Sequence, residues 1–355
     1  MIHSDLYFVF PGNLNTNTGG YHYDRRLILE LQKLGKAVKT ISLSEKFPFP
    51  DASALKHAND RFSSIPDDST VIVDGLAFGA MKSVTEFHKN RLRLIGLCHH
   101  PLALETGLGA LQKKLFLRSE AHALQCARHI IVTSENTRKI LIEDFFVAIS
   151  KITVAMPGTD TYPFANCNGS PPKLLTCASF TQRKGHDVLI DAFNLLKDLS
   201  WTARFVGDKR LDPAWTSSLK RKISASHLED RVEFVGTVKN LSNEYQNADI
   251  FILPSRFEGY GMVLSEALAH GLPIVSTYAG AIPDVVPESA GILVAPGDYS
   301  ELATALKSII MDQSLRMKMQ MNAQKVALNL PSWNRCAEII LHGMEAASQK
   351  RAASV

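Results

Sequence analysis

The sequence predicts an α/β protein made of two doubly wound parallel sheets, and three observations carry that expectation. Short apolar strands alternate with amphipathic helices through the first half of the chain. A breaker-rich run, NCNGSPP at 166–172, interrupts them near the middle, and the same alternation restarts after it. At 355 residues the chain is long enough for two domains, each with its own core. Its 45% hydrophobic and 21% charged content is that of a globular protein.

In chain order, an apolar run at 6–10 predicts the first strand. It leads through Pro11-Gly12 and an Asn/Thr-rich loop to Gly19 and Gly20, which read as a flexible turn ahead of the first helix. In that helix Leu27, Ile28, Leu31 and Leu34 share a face, and Gly35 suits the position just past its end. Further strands are expected at 38–43, 71–73, 92–97 and 129–132. Beyond the breaker run the spacing predicts strands at 174–178, 203–206, 232–235, 250–253 and 274–276, with helices over 185–196 and after Gly261. Pro331-Ser332-Trp333 opens a last helix, with Ser332 as its N-cap.

Bulk properties narrow the function classes. No apolar run approaches the roughly 18 residues needed to cross a bilayer, and the first residues have no basic segment followed by an apolar signal core, so a cytoplasmic location is expected. Five cysteines without C-x-x-C spacing indicate neither a disulfide framework nor a zinc site. A net charge of +4 argues against nucleic-acid binding and leaves anionic ligands open.

The most informative stretch is PSRFEGYGMVLSEALAHGLPIV at 254–275. Glu258 lies on a glycine-rich turn, and Glu266, eight positions on, falls inside an otherwise apolar helix. A half-buried Glu266 needs a hydrogen-bonding partner, and the vicinal hydroxyls of a ribose would engage both its oxygens. Gly259, Tyr260, Gly261 and Met262 open the helix with unpaired N–H groups and the positive end of its dipole, which suits a phosphate.

On these residues the segment resembles the retaining glycosyltransferases of family 4, whose E-x7-E signature occupies this place in the GT-B fold. The resemblance implies two Rossmann-like domains facing a central cleft: an acceptor domain over 1–166, a nucleotide-sugar donor domain over 167–330, and a C-terminal helix, 331–355, that crosses back to the first domain with Trp333 as its anchor. It also assigns roles. Lys184, in FTQRKGHD at 180–187, falls at the family's diphosphate lysine. The family's arginine five positions earlier is replaced by Ser179, with Arg183 as substitute. Gly12, Gly19 and Gly20 resemble a glycine loop that closes over the phosphates. His99, or else His100, ends a strand where the family has a histidine that touches the donor sugar. Gly236, Thr237 and Val238, and the region of Gly207-Asp208, correspond to places where the base is held by backbone. Asp74-Gly75 and Glu105-Thr106-Gly107 would line an acceptor pocket, though turn formation explains Asp74-Gly75 equally well.

The implied function is metal-independent, retaining transfer of a hexose from a nucleotide diphosphate sugar, UDP-glucose or a related UDP-sugar, to a hydroxyl acceptor such as a membrane lipid or cell-envelope glycan precursor. Glu258 would hold the donor sugar. No cofactor or metal is expected, and the oligomeric state is not readable. The helix around 108–116, with Lys113, Lys114 and Arg118 beside Leu108, Leu111 and Leu115, reads as a basic amphipathic surface for peripheral membrane contact or as an ordinary surface helix. Competing readings are a non-catalytic nucleotide-sugar-binding protein on the same scaffold, an epimerase, and a glycoside hydrolase using Glu258 and Glu266 as its acid and base.

Overall fold

The computed structural model describes the backbone of residues 5–352 and side chains through Glu345. The chain divides into two compact units, one running to Gly158 and resuming at Pro331, the other Thr159–Leu330. The first boundary therefore falls ahead of the expected 166. The breaker run belongs to the second unit, where the Asp249 carboxylate accepts the N–H groups of Gly169 (2.7 Å) and Lys173 (2.7 Å) and ties the run to the sheet.

The first unit holds β1 (Leu6–Pro11), β2 (Val38–Leu43), β3 (Thr70–Asp74), β4 (Arg93–Cys98), β5 (His129–Val132) and β6 (Ile152–Val154) in one parallel sheet of order β2-β1-β3-β4-β5-β6. β1, β3, β4 and β5 are buried almost throughout, as strands covered on both faces must be. The core packs Val9, Val71, Val73, Leu94, Ile130 and Val132 against helix residues such as Phe62, Phe78 and Leu124.

The second unit repeats the plan with β7 (Lys173–Cys177), β8 (Thr202–Val206), β9 (Val232–Gly236), β10 (Ile250–Leu253), β11 (Ile274–Thr277) and β12 (Gly291–Val294), in the order β12-β11-β10-β7-β8-β9. β6 and β12 are the strands that the sequence reading lacks. Each has three or four residues, is only partly buried and sits at a sheet edge, so its apolar run is short.

These strand orders fix where ligands can bind. In an open parallel sheet the crevice lies at the carboxyl ends of strands whose connections leave in opposite directions. In the first unit that point is between β1 and β3; in the second it is between β7 and β10. The loops with Gly12, Asp74, Arg183-Lys184 and Glu258 leave from these strands, while His99 follows the neighbouring β4 and Gly236 ends β9.

The last helix, Trp333–Ala352, belongs to the first unit. Arg335 donates its N–H to the Ser332 hydroxyl (3.2 Å), in keeping with Ser332 as N-cap. Trp333 is buried against Tyr23, His22 and the Arg26 guanidinium. Gly158 passes so close that a Cβ there would meet Trp333 backbone at 2.1 Å, so only glycine fits.

Candidate functional site

In the second unit, the turn after β7 and the turn after β10 meet at the switch point. Gly185 takes φ +70°, and any Cβ would lie 2.0 Å from the Pro254 carbonyl oxygen. That approach brings Arg183 and Lys184 onto Glu258. Lys184 Nζ donates to Glu258 Oε1 at 2.6 Å, Arg183 Nη1 donates to Oε2 at 3.1 Å, and the Ser255 hydroxyl adds a 2.6 Å bond to Oε1. Arg183 Nη1 also donates to the Phe257 carbonyl. Burial alone would raise the pKa of Glu258, but the charges of Lys184 and Arg183 prevail and hold it at about 2. Glu258 is therefore ionised, and the three charges leave the cluster with net +1.

The backbone around Glu258 is equally constrained. Gly280, at φ +58°, lies where a Cβ would meet the Glu258 carbonyl oxygen at 2.2 Å, and Ala281 donates its N–H to that oxygen. Gly261, at φ +90°, caps the Met262–Ala269 helix without a side-chain bond, and Gly259 and Tyr260 are buried just ahead of it. The helix has no acidic residue in its first turn to offset its dipole.

Glu266 sits half-buried on that helix, as its apolar neighbours required. One of its oxygens is engaged within the protein: Tyr245 donates its hydroxyl to Oε2 at 2.9 Å. Burial raises the Glu266 pKa to about 7; Tyr245 opposes the shift and the charge of Asp160 adds to it. Tyr245 stacks on His270, and His270 on Tyr162.

Gly236, Thr237 and Val238, expected to hold the base, lie in the same unit. Gly236 ends β9 at φ +90°, and its carbonyl accepts the Gly207 N–H. Thr237 is exposed and Val238 half-buried. Lys209 lies over Gly236 and donates to the Phe234 carbonyl.

In the first unit the loops after β1, β3 and β4 converge. Gly19 and Gly20 are not a flexible turn ahead of the helix: they are its first two residues, in Gly19–Lys33, because the Thr18 hydroxyl caps it by accepting the Tyr21 N–H. A Cβ at Gly20 would touch the His99 ring at 3.4 Å. His99 Nε2 lies 3.1 Å from Asp24 Oδ1 and 3.4 Å from Asp74 Oδ2, with Tyr23 edge-on to the ring. Burial would lower the His99 pKa, but the bonds and charges of Asp24 and Asp74 carry it to about 10. Asp74 also caps the next helix by accepting the Leu76 N–H (2.8 Å), the turn-forming role expected of it. His100 pairs instead with Glu105, at 3.1 Å.

Sequence reasoning missed Asp24, Ser255 and Tyr245. Asp24 had a signal: it precedes Ile28 by four and Leu31 by seven, on the apolar face of its helix, where a carboxylate needs a reason. Tyr245 had none, since its link to Glu266 exists only through the fold. Against the expectation of no metal site, two groups of described residues bring three ligand-type atoms within 4.8 Å of one another: Asp24, Asp74 and His99, and Glu86, His122 and Cys126. Each is already knit by its own bonds, Asp24 to His99, and Glu86 to His122 (2.7 Å) and Cys126 (3.2 Å).

Residues 160–326 match the family model described as Glycosyl transferases group 1, which supports a glycosyltransferase family. Among curated relatives, mannosylfructose-phosphate synthase of Agrobacterium fabrum is 28% identical over 233 residues, 60% of this chain and 51% of that protein. The lipopolysaccharide core biosynthesis mannosyltransferase LpsB of Rhizobium meliloti is 32% identical over 138 residues, 37% of this chain and 39% of that protein. The chain thus spans about half, or less, of these relatives' length. Anabaena HepE, solved with UDP and glucose, superposes with a TM-score of 0.77 over 96% of this chain and 99% of its own, at 17% identity. That likeness shows the GT-B fold.

Proposed function

We propose that this protein is a retaining glycosyltransferase of the E-x7-E type that moves a hexose from UDP-glucose or a related UDP-sugar to a hydroxyl acceptor. The observation that supports it best is the meeting of Arg183, Lys184 and Glu258 beside a glycine-opened helix end. The leaving diphosphate gathers charge as the bond from sugar C1 to phosphate oxygen breaks, and fixed cations and helix N–H groups stabilise that charge. Arg183 stands in for the arginine absent at Ser179. The acceptor oxygen bonds to C1 on the face the phosphate leaves, and its proton passes to a leaving phosphate oxygen. Glu258 holds the sugar, Glu266 the ribose, and the backbone of 236–238 the base. No metal enters this scheme, so turnover should be unchanged by EDTA.

The acceptor class rests on the helix Ala110–Cys126, which exposes Leu111 and Leu115 beside Lys113, Lys114 and Arg118. A lipid or envelope-glycan acceptor at an anionic membrane surface fits that face. Among the described residues no helix is long and apolar enough to cross a membrane.

The test is mass spectrometry of products after incubation with UDP-glucose, UDP-galactose, UDP-glucuronate and GDP-mannose, with and without anionic vesicles. GDP-mannose is included because LpsB is named a mannosyltransferase. Transfer with the donor's anomeric configuration kept is expected; inverted product would overturn the mechanism. Ser179 favours a second reading, a non-catalytic nucleotide-sugar-binding protein, which tight donor binding without any product would select.

A further inference from the structure

Two of the three acidic or basic groups gathered after β1, β3 and β4 lie off the proposed reaction path. Asp24 is fully buried and Asp74 nearly so. Each has its Oδ2 buried without a hydrogen-bond partner, although that of Asp74 is within 3.4 Å of His99 Nε2. A buried carboxylate is costly unless a cation answers it, and His99 is the cation in reach. Its side chain is 20% exposed while its Nε2 is engaged inward, so part of the ring remains open to a ligand. We propose that Asp24 and Asp74 are positioning residues that grip Nε2 of His99 from two sides and fix the ring so that its open edge donates a hydrogen bond to a ligand oxygen.

The surroundings fit this role. Tyr23 packs edge-on against the ring, Gly20 lies alongside it, and the Thr133 hydroxyl donates to the His99 carbonyl (3.1 Å). The titratable groups facing the cluster are Tyr21 and Tyr23 on the Gly19–Lys33 helix, both held protonated by burial and by carboxylate charge or neighbouring groups. The remaining charges are the two aspartates themselves; burial and the charge of Asp74 raise Asp24 to about 7, and His99 opposes that shift. With both carboxylates on Nε2, a ring that is also protonated at Nδ1 would donate there and could not take the acceptor's proton. This inference rests on the proposed transfer reaction for its functional half and on the first unit alone for its structural half.

The test uses the full chain labelled with 15N-histidine, His99 being assigned by His99→Gln. NMR titration from pH 6 to 10 should show both His99 nitrogens protonated at pH 8 in the wild type. Asp24→Asn and Asp74→Asn should each move its midpoint down toward the ordinary histidine range. Sugar transfer by the Asn variants should fall roughly 10- to 100-fold at pH 8, the equivalent of one charge-assisted hydrogen bond, and recover at pH 6, where the ring is protonated without help. The His99 signals should respond to UDP-glucose; a response to UDP alone would identify a phosphate oxygen as the partner, and a response only to the sugar nucleotide a sugar hydroxyl. A wild-type His99 that titrates near 6.5, a midpoint unmoved by either substitution, or an equal loss at pH 6 and 8 would overturn the proposal. If neither Asn variant folds, the wild-type titration decides. If no sugar nucleotide is turned over, the titrations still decide the structural half.

Discussion

At the scale of residues, the protein places opposite demands on its buried charges. Glu258 is kept ionised by two cations, so Glu258→Ala would leave Arg183 and Lys184 side by side. We expect it to cost roughly 3–5 kcal/mol, as breaking buried ion pairs does, measured by urea denaturation of the second unit's transition. Glu266→Ala should weaken nucleotide binding in calorimetry, since it removes the carboxylate that Tyr245 orients. His186 is a different case. It is fully buried between Phe180 and Phe205, both ring nitrogens lack partners, and burial lowers its pKa to about 3. His186→Leu removes the unmatched polar atoms at similar volume and should stabilise the unit by about 1–2 kcal/mol; a loss of that size would show an unrecognised polar role. The carboxylates of the E-x7-E segment were legible in the sequence because each broke a local pattern, one inside a glycine turn and one inside an apolar helix. What each pairs with was not legible, since Lys184 and Glu258 are 74 positions apart and only the sheet order makes them neighbours.

At the scale of elements, the central strands were readable because burial on both faces leaves a continuous apolar run, as in Phe251, Ile252 and Leu253 of β10. β6 and β12 escaped because edge strands need only partial burial. The start of the first helix was misjudged for a physical reason too: two glycines suggest a turn, but the Thr18 cap outweighs their helix-breaking tendency. The close packing of the turns after β7 and β11 on the β10 turn depends on two positive-φ glycines, Gly185 and Gly280. Gly280→Ala should cost at least about 1–2 kcal/mol from the left-handed backbone alone, and more from its clash with the Glu258 carbonyl. We expect donor binding to fall with it, read by calorimetry on the folded variant.

At the scale of the whole molecule, the two units should answer pH differently. The Glu258 pKa is depressed from 4.5 to about 2, so its contribution is present above 4.5 and lost as pH falls toward 2. His186, held neutral, contributes fully above 6.5 and loses this as pH falls toward 3. Both act in the second unit, where Glu266 offsets them in part, its stabilisation being full below 4.5 and lost as pH rises through about 7. In the first unit the raised pKa of His99 gives stability that is full below 6.5 and lost as pH rises through about 10, and Asp24 and Glu120, raised to about 7 and about 8, add to the alkaline loss. Buried His88, lowered to about 4, weakens this unit at acid pH as His186 does the second, so the contrast lies at the alkaline end. Calorimetric unfolding at pH 7 and pH 9 should therefore show the first unit weakened more than the second; a uniform shift of both would contradict this. Trp333→Ala identifies the first unit's transition, since it should lower that one alone, by roughly 3–5 kcal/mol. The most direct test of the central claim, that Lys184 and its neighbours stabilise a leaving diphosphate, is the turnover of UDP-glucose, or whichever donor the panel selects, by the Lys184→Ala enzyme. The account predicts kcat lower by roughly 100-fold or more with donor affinity far less affected; a variant that transfers sugar as fast as the wild type would contradict it.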